Sequence, residues 1–418
     1  MSETAFNSFV YDLPSRIPVR KTGAKVIVEF RTSGSYQGEY GFDWIRMGDS
    51  GRLGDTWYAN IMGNEFTSGW DRDLIVDKTK RVYDNYASHL FRTKRFVIPW
   101  KTYGKHPFMY VVPLMTLRKG ASAKLSLKVE VKEPAVRIVY QCKTPGIFKL
   151  SKTSIPKLGK GKHTLPDELV ITCLKEFSMD QEINVYAYDV NKMKHLAGKL
   201  IVKANDKKHQ RTINVAIVCV MLKENEKGFS ISSSKAKLKK IFGQAYVNLN
   251  IRTVYLNIAQ TQNNKAVKKF FTPQGSVYEK HIDDGTLFSF LNVEFSKKYP
   301  NLGNFFKLYY INRKCSNNNG TKEVLLYGQA RKIKSHEVII LFKGLKDNTA
   351  AHELLHCVGL PHSFSYLNAE YFHVAFKECS TDNIMDYSDI NGIPVIATWE
   401  FQWKAIQKSI SNLHAGKW

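Results

Sequence analysis

Near residue 212 the pattern of apolar residues changes, and this change constrains the fold of the 418-residue chain more than any other feature. Upstream, from 25 to about 205, apolar residues fall in short alternating runs broken by Gly, Pro, Asn and Asp. Examples are KVIVEF (25–30), RFVIPW (95–100), FMYVVPLM (108–115), AKLSLKVEV (123–131), VRIVYQ (136–141), ELVITC (168–173) and INVYAYDV (183–190). Period-two runs separated by turn residues mark all-β sandwiches, and no long helical stripe interrupts them. Downstream, TINVAIVCVML (212–222) is a continuous apolar run suited to a strand buried on both faces. SSSKAKLKKIFGQAYVNLN (232–250) follows as a helix, with Leu238, Ile241, Phe242, Ala245 and Leu249 on one stripe.

Two or three compact units are expected at this length. The Glu133-Pro134 dipeptide between two strands and the polar segment at 207–212 place the boundaries. The expected fold class is therefore multidomain: an N-terminal all-β domain over 1–133, an immunoglobulin-like β-sandwich module over 134–206, and an α+β unit over 207–418. In the last unit IRTVYLNI (251–258), FKLYYIN (306–312), VLLYGQAR (324–331) and EVIILF (337–342) read as strands of a mixed twisted sheet. A helix then opens with the capping residues Asp347, Asn348 and Thr349.

The net charge of +25 and pI of about 9.6 imply either an anionic surface partner or lysines coating exposed faces. The lysines are dispersed, as in KTPGIFKLSKTSIPKLGKGKH (143–163), and no basic zipper, zinc-finger spacing or RNA-binding sheet signature occurs, so no specific nucleic-acid motif is present. The first residues carry no basic segment followed by an apolar one, and no apolar run reaches the roughly 18 residues of a transmembrane segment. A soluble protein, secreted or exported without a recognisable leader or else cytoplasmic, is the expectation. Six cysteines without a CxxC pair are too few for a disulfide scaffold. Cys219 reads as a packed thiol, and Cys142 and Cys173 as candidates to bridge two sheets.

The chemistry concentrates in AAHELLHCVGLPHSF (350–364). His352 and His356 lie one helical turn apart on one face, so both imidazoles reach one metal ion. Glu353 follows His352, where a carboxylate lies beside the metal without ligating it. Gly359 ends the helix through a left-handed residue, Pro361 stops it from resuming, and His362 comes back to the same ion. Three neutral histidines with one open position describe a catalytic rather than a structural zinc site. A bare HExxH arises by chance in roughly one chain in fifty of this length, whereas adding the Gly and third His lowers that below about one in ten thousand. Cys357 points away from the ligand face and either packs or pairs with Cys379. His373 reads as a packed histidine, and Asp382 and Asp386 as turn caps or as supports for a ligand imidazole.

HELLHCVGLPH resembles the defining motif of the metzincin zinc peptidases, and STDNIMDYSD (380–389) is similar to their Met-turn, with Met385 as the floor of the zinc site. The resemblance covers about 206–418; NIMDYSD, Phe364 and the closing WEFQWKAIQKSI look like the pappalysin or cytophagalysin type, while Ser363 is shared with matrixins. It implies one catalytic Zn2+ on His352, His356 and His362, Glu353 as general base and acid, and Tyr387 as a transition-state partner or, equally, a buried tyrosine with a hydroxyl partner. It further implies a protein or peptide substrate bound as an extended strand along 324–331. The expected function is zinc endopeptidase. The alternative is a binding or adhesion protein of β modules with a structural or vestigial zinc site. GEYGFDWIRMGDSG (38–51) is similar to N-terminal regions of exported bacterial effectors or toxins, which implies a secretion-machinery partner for the β domains.

Overall fold

In the structure, a computed structural model, residues 23–67, 73–89, 94–103, 105–223, 232–259, 264–345 and 348–417 are described. The first half is a two-sheet sandwich. One antiparallel sheet runs Lys25–Thr32, Ser122–Glu133, Gly161–Cys173, Phe148–Leu150. The other runs Ser154–Ile155, Arg137–Cys142, Gln181–Tyr188, Lys194–Val202, Leu114–Thr116, Gly41–Asp43, and is antiparallel except where Lys194–Val202 meets Leu114–Thr116. Alternation drives the packing: along Ser122–Glu133 the odd-numbered Ala123, Leu125, Leu127, Val129 and Val131 are all buried between the sheets.

The boundary expected at 133–134 is not a domain boundary. Ser122–Glu133 pairs with Lys25–Thr32 on one side and with Gly161–Cys173 on the other, so residues from both sides of Pro134 share one sheet and one core. A strand break at proline is a turn signal, and a turn inside a sandwich looks the same in sequence as a linker.

The second half is built on a five-stranded sheet ordered Val247–Asn257, Arg211–Met221, Phe306–Ile311, Glu337–Ile340, Gly328–Ala330. The first four strands are parallel and the last, an edge strand, is antiparallel. Arg211–Met221 is buried on both faces as its apolar run requires. Val215, Ile217 and Cys219 pack with Leu238, Phe242, Leu354 and Ile406, and Ala216, Val218 and Val220 with Phe288, Leu291 and Phe295. The expected helix is shorter than its stripe. It spans Ser232–Gln244, and the left-handed Tyr246 (φ 55°) turns the chain so that Leu249 lies on the next strand. Among the described residues, five α-helices not expected from the sequence are present, Arg81–His89, Asn264–Phe270, Lys280–Asp283, Thr286–Lys298 and Tyr366–Phe372. VLLYGQAR is not one strand: Glu323–Val324 pairs with Cys315–Ser316, and only Gly328–Ala330 joins the main sheet.

The two halves are not independent. Ile45, Tyr58, Met62, Tyr86, Ile98 and Tyr110 belong to the same core as the helices Thr349–Cys357 and Glu400–His414, and Met62–Gly63 pairs with Ala375–Phe376. Among the described residues no helix is long and apolar enough to cross a membrane.

Candidate metal centre

Thr349–Cys357 is a nine-residue helix lying against the strand Glu337–Ile340, with Leu354 and Leu355 fully buried. Asn348 occupies its N-cap position, although the side chain donates to the Val395 carbonyl (2.8 Å) instead of capping; Asp347 lies outside the described residues. The helix ends as expected. Gly359 has φ +99°, its N–H donates to the His356 carbonyl (2.9 Å), and the Leu360 N–H reaches back to the Leu355 carbonyl (3.0 Å). This paired closure by a left-handed glycine redirects the chain within three residues. A Cβ at Gly359 would meet Ser409 Oγ at 3.2 Å.

The redirection brings three imidazoles together. The Nε2 atoms of His352 and His356 are 3.2 Å apart, those of His356 and His362 3.0 Å, and those of His352 and His362 3.2 Å. The far nitrogens are committed elsewhere: His352 Nδ1–H donates to the Ile384 carbonyl and His356 Nδ1–H to the Leu360 carbonyl, each at 2.7 Å. With protons at Nδ1, His352 and His356 direct Nε2 lone pairs at one point, an arrangement that repels itself unless a cation sits among the nitrogens. Tetrahedral zinc with Zn–N bonds of 2.0–2.1 Å spaces its ligand nitrogens by roughly 3.3 Å, so the cluster fits that ion with almost no rearrangement. Burial keeps the His352 and His356 imidazoles neutral, pushing His352 down to about 4 and His356 down to about 3. No other such group of three or more metal-ligating side chains occurs among the described residues.

Around the cluster the turn at 380–389 is held from within. Asp386 accepts from the backbone N–H groups of Cys379, Thr381 and Tyr387 and from the Thr381 hydroxyl, so it caps the turn and does not support an imidazole. Asn383 and Gln402 exchange side-chain hydrogen bonds (2.9 and 3.1 Å), and Asn383 Oδ1 also accepts from the Met385 N–H. Met385 is fully buried, and its carbonyl accepts from the Ser363 N–H. Asp382 pairs with Arg46, a partner invisible to the sequence reading because it comes from the other half of the chain.

Glu353 lies beside the histidines with Oε2 accepting the Ala330 N–H at 2.7 Å. That N–H belongs to the edge strand. Tyr327 and Arg331 form the ladder with Leu341 and Glu337, which turns the backbone groups of Gly328 and Ala330 to the open side. The Tyr387 hydroxyl lies 2.8 Å from His362 Nε2, and its ring stacks on His352. Cavities of about 370 and 310 Å3 adjoin the cluster, and both are lined by Gly328, Glu353 and Tyr387. One continues past Pro361 and Leu367, the other past Thr349, Ile384 and Val395.

The remaining expectations divide. His373 is not packed: it is exposed, in a left-handed conformation (φ 58°) at the end of the helix Tyr366–Phe372. All six cysteines are free thiols, so neither the Cys142–Cys173 nor the Cys357–Cys379 bridge forms. Cys357 lies 3.5 Å from Ser335 Oγ, and Cys379 Sγ donates to the Tyr387 carbonyl. Cys219 is packed as expected.

No family model matches the chain, and no curated protein does. Among solved structures, it is similar to a family 123 glycoside hydrolase from Clostridium perfringens at 9% identity, over 47% of this chain and 32% of that one, with a TM-score of 0.14. Overlap of that degree is not a shared fold.

Proposed function

We propose that the chain is a zinc-dependent endopeptidase of metzincin type, with His352, His356 and His362 holding one zinc ion and Glu353 moving the proton. The observation that carries this reading is the convergence of three Nε2 atoms, 3.0–3.2 Å apart, with a carboxylate at the same cleft. When bound, zinc supplies Lewis acidity that acidifies water and polarises a carbonyl.

The protein's own groups perform the rest. Glu353, oriented by the Ala330 N–H, takes a proton from the attacking water and passes it to the leaving amine. Tyr387 holds its phenol at the developing negative charge of the carbonyl oxygen. The substrate adds as an antiparallel strand to the outward N–H and carbonyl of Gly328 and the carbonyl of Ala330, the Ala330 N–H being held by Glu353. Space on both sides of the histidines accommodates chain on both sides of the scissile bond, which favours cleavage within a polypeptide over trimming of its ends.

Cleavage of a mixed peptide library, read by mass spectrometry for wild type and Glu353→Ala, tests the proposal. Fragments from wild type alone support it. Fragments from neither protein, with zinc bound in both, would favour a binding protein with a structural metal.

A further inference from the structure

The largest of the cavities described, about 550 Å3, is not at the histidines. It lies at the N-terminal ends of three parallel strands, Arg211–Met221, Phe306–Ile311 and Glu337–Ile340, and against the end of the helix Glu400–His414. Asn214, Phe306, Lys307, His336, Glu337 and His414 contribute to its walls.

Lys307 and Glu337 are the unusual members. They are register partners on adjacent parallel strands, so their side chains leave the same face of the sheet about 5 Å apart at the backbone. Opposite charges so placed would normally close an ion pair, yet these two do not. Neither charged end has a hydrogen-bond or ion-pair partner among the described residues. Lys307 is only 5% exposed, and its ammonium lies 6.0 Å from the Phe295 ring centroid, the outer limit of a cation–π contact. Desolvation accordingly lowers the Lys307 pKa, with Glu337 opposing. A lysine buried but for its place on the cavity wall and a half-buried carboxylate on the same cavity, each without a partner, are two unmet interactions of opposite sign.

We propose that this cavity binds a small zwitterion, a free α-amino acid or a short peptide, with its carboxylate on Lys307 and its ammonium on Glu337. The volume admits either. The Phe306 and His336 rings, stacked at 4.8 Å, provide an apolar wall for a side chain, and Asn214 offers amide hydrogen bonds. The site is separate from the histidine cluster, and the proposal does not depend on the zinc reading.

Calorimetric titration of the full chain with leucine and with glycylleucine, with acetate and methylammonium as single-charge controls, tests it. Binding of either zwitterion is expected, at least ~10-fold weaker for both controls, and weakened ~10-fold or more in Lys307→Met and in Glu337→Gln while zinc content stays unchanged. Leucine and glycylleucine, compared with each other, distinguish amino acid from peptide. Absence of heat with both zwitterions at about 10 mM, equal binding of acetate, or unaltered binding in the variants would overturn it. If Lys307→Met does not fold, Glu337→Gln, which removes a charge from a half-buried position, carries the same test.

Discussion

Arg46 and Asp382 meet in an ion pair closed to solvent. One guanidinium nitrogen of Arg46 donates to both carboxylate oxygens of Asp382, at 3.0 and 3.2 Å, and Arg46 is 0% exposed. The guanidinium lies over the Trp44 ring and donates to the Trp44 carbonyl. Asp382 opens the turn that carries Ile384, acceptor of the His352 proton, and Tyr387. Through this pair the N-terminal half orients a turn at the histidine cluster.

Removing one member leaves the other charged and buried. Arg46→Met should therefore destabilise the protein by about 3–5 kcal/mol, and Arg46→Met with Asp382→Leu should recover much of that loss. Urea denaturation measures both. A cost below about 1 kcal/mol for the single variant would mean that this pair contributes little to joining the two halves.

Tyr387→Phe removes the hydroxyl that reaches His362 and leaves the ring in place. If the phenol serves the transition state, kcat falls roughly 100-fold with KM and zinc content unchanged. An unaltered kcat with weakened zinc binding would make Tyr387 a partner of His362 only.

Gly359→Ala places a side chain at φ +99° and 3.2 Å from Ser409 Oγ. The strain costs about 1–3 kcal/mol. Because the same residue turns His362 towards His352 and His356, the proposed zinc affinity should fall about tenfold, as measured by competition with a chromogenic chelator.

Asp43 introduces a pH dependence. Burial raises its pKa from the ordinary 3.8 to about 7, against the opposing pull of Arg46, while Oδ2 accepts the Glu400 N–H at 2.9 Å. The folded state holds this proton more tightly than the unfolded chain. The stabilisation it gives is thus complete below about pH 4 and is lost as pH rises through 7. Asp43→Asn keeps an oxygen for the Glu400 N–H and removes the titration, so wild-type stability measured against this variant should decline between those limits. Parallel stability curves for the two proteins would place the Asp43 proton elsewhere.

The parts legible in the sequence are those fixed by local spacing. The i, i+4 histidines, the Gly359 stop and the return of His362 follow from helix geometry within eleven residues, and the strand buried on both faces follows from one apolar run. What escaped depends on partners distant in the chain. Arg46 looks like any surface arginine until Asp382 is placed beside it, and Pro134 signals a turn equally well inside a sandwich or between domains. The helix Thr286–Lys298 was hidden because Leu287, Phe288, Leu291 and Phe295 pack beneath the sheet while Val293 is exposed on its outer side, which blurs the stripe. Lys307 did leave a trace: a lysine inside the strand FKLYYI, whose six residues are all buried, is out of place by composition alone.

Metal-dependent hydrolysis at the histidine cluster is the central prediction. The most direct measurement is peptide cleavage by the purified protein before chelation, after removal of zinc, and after zinc is restored, with Glu353→Ala carried through the same steps. Wild-type cleavage that disappears with the metal and returns with it, and a variant that binds zinc but cleaves nothing, is the predicted result. Cleavage that persists in the metal-free protein or in Glu353→Ala would contradict it.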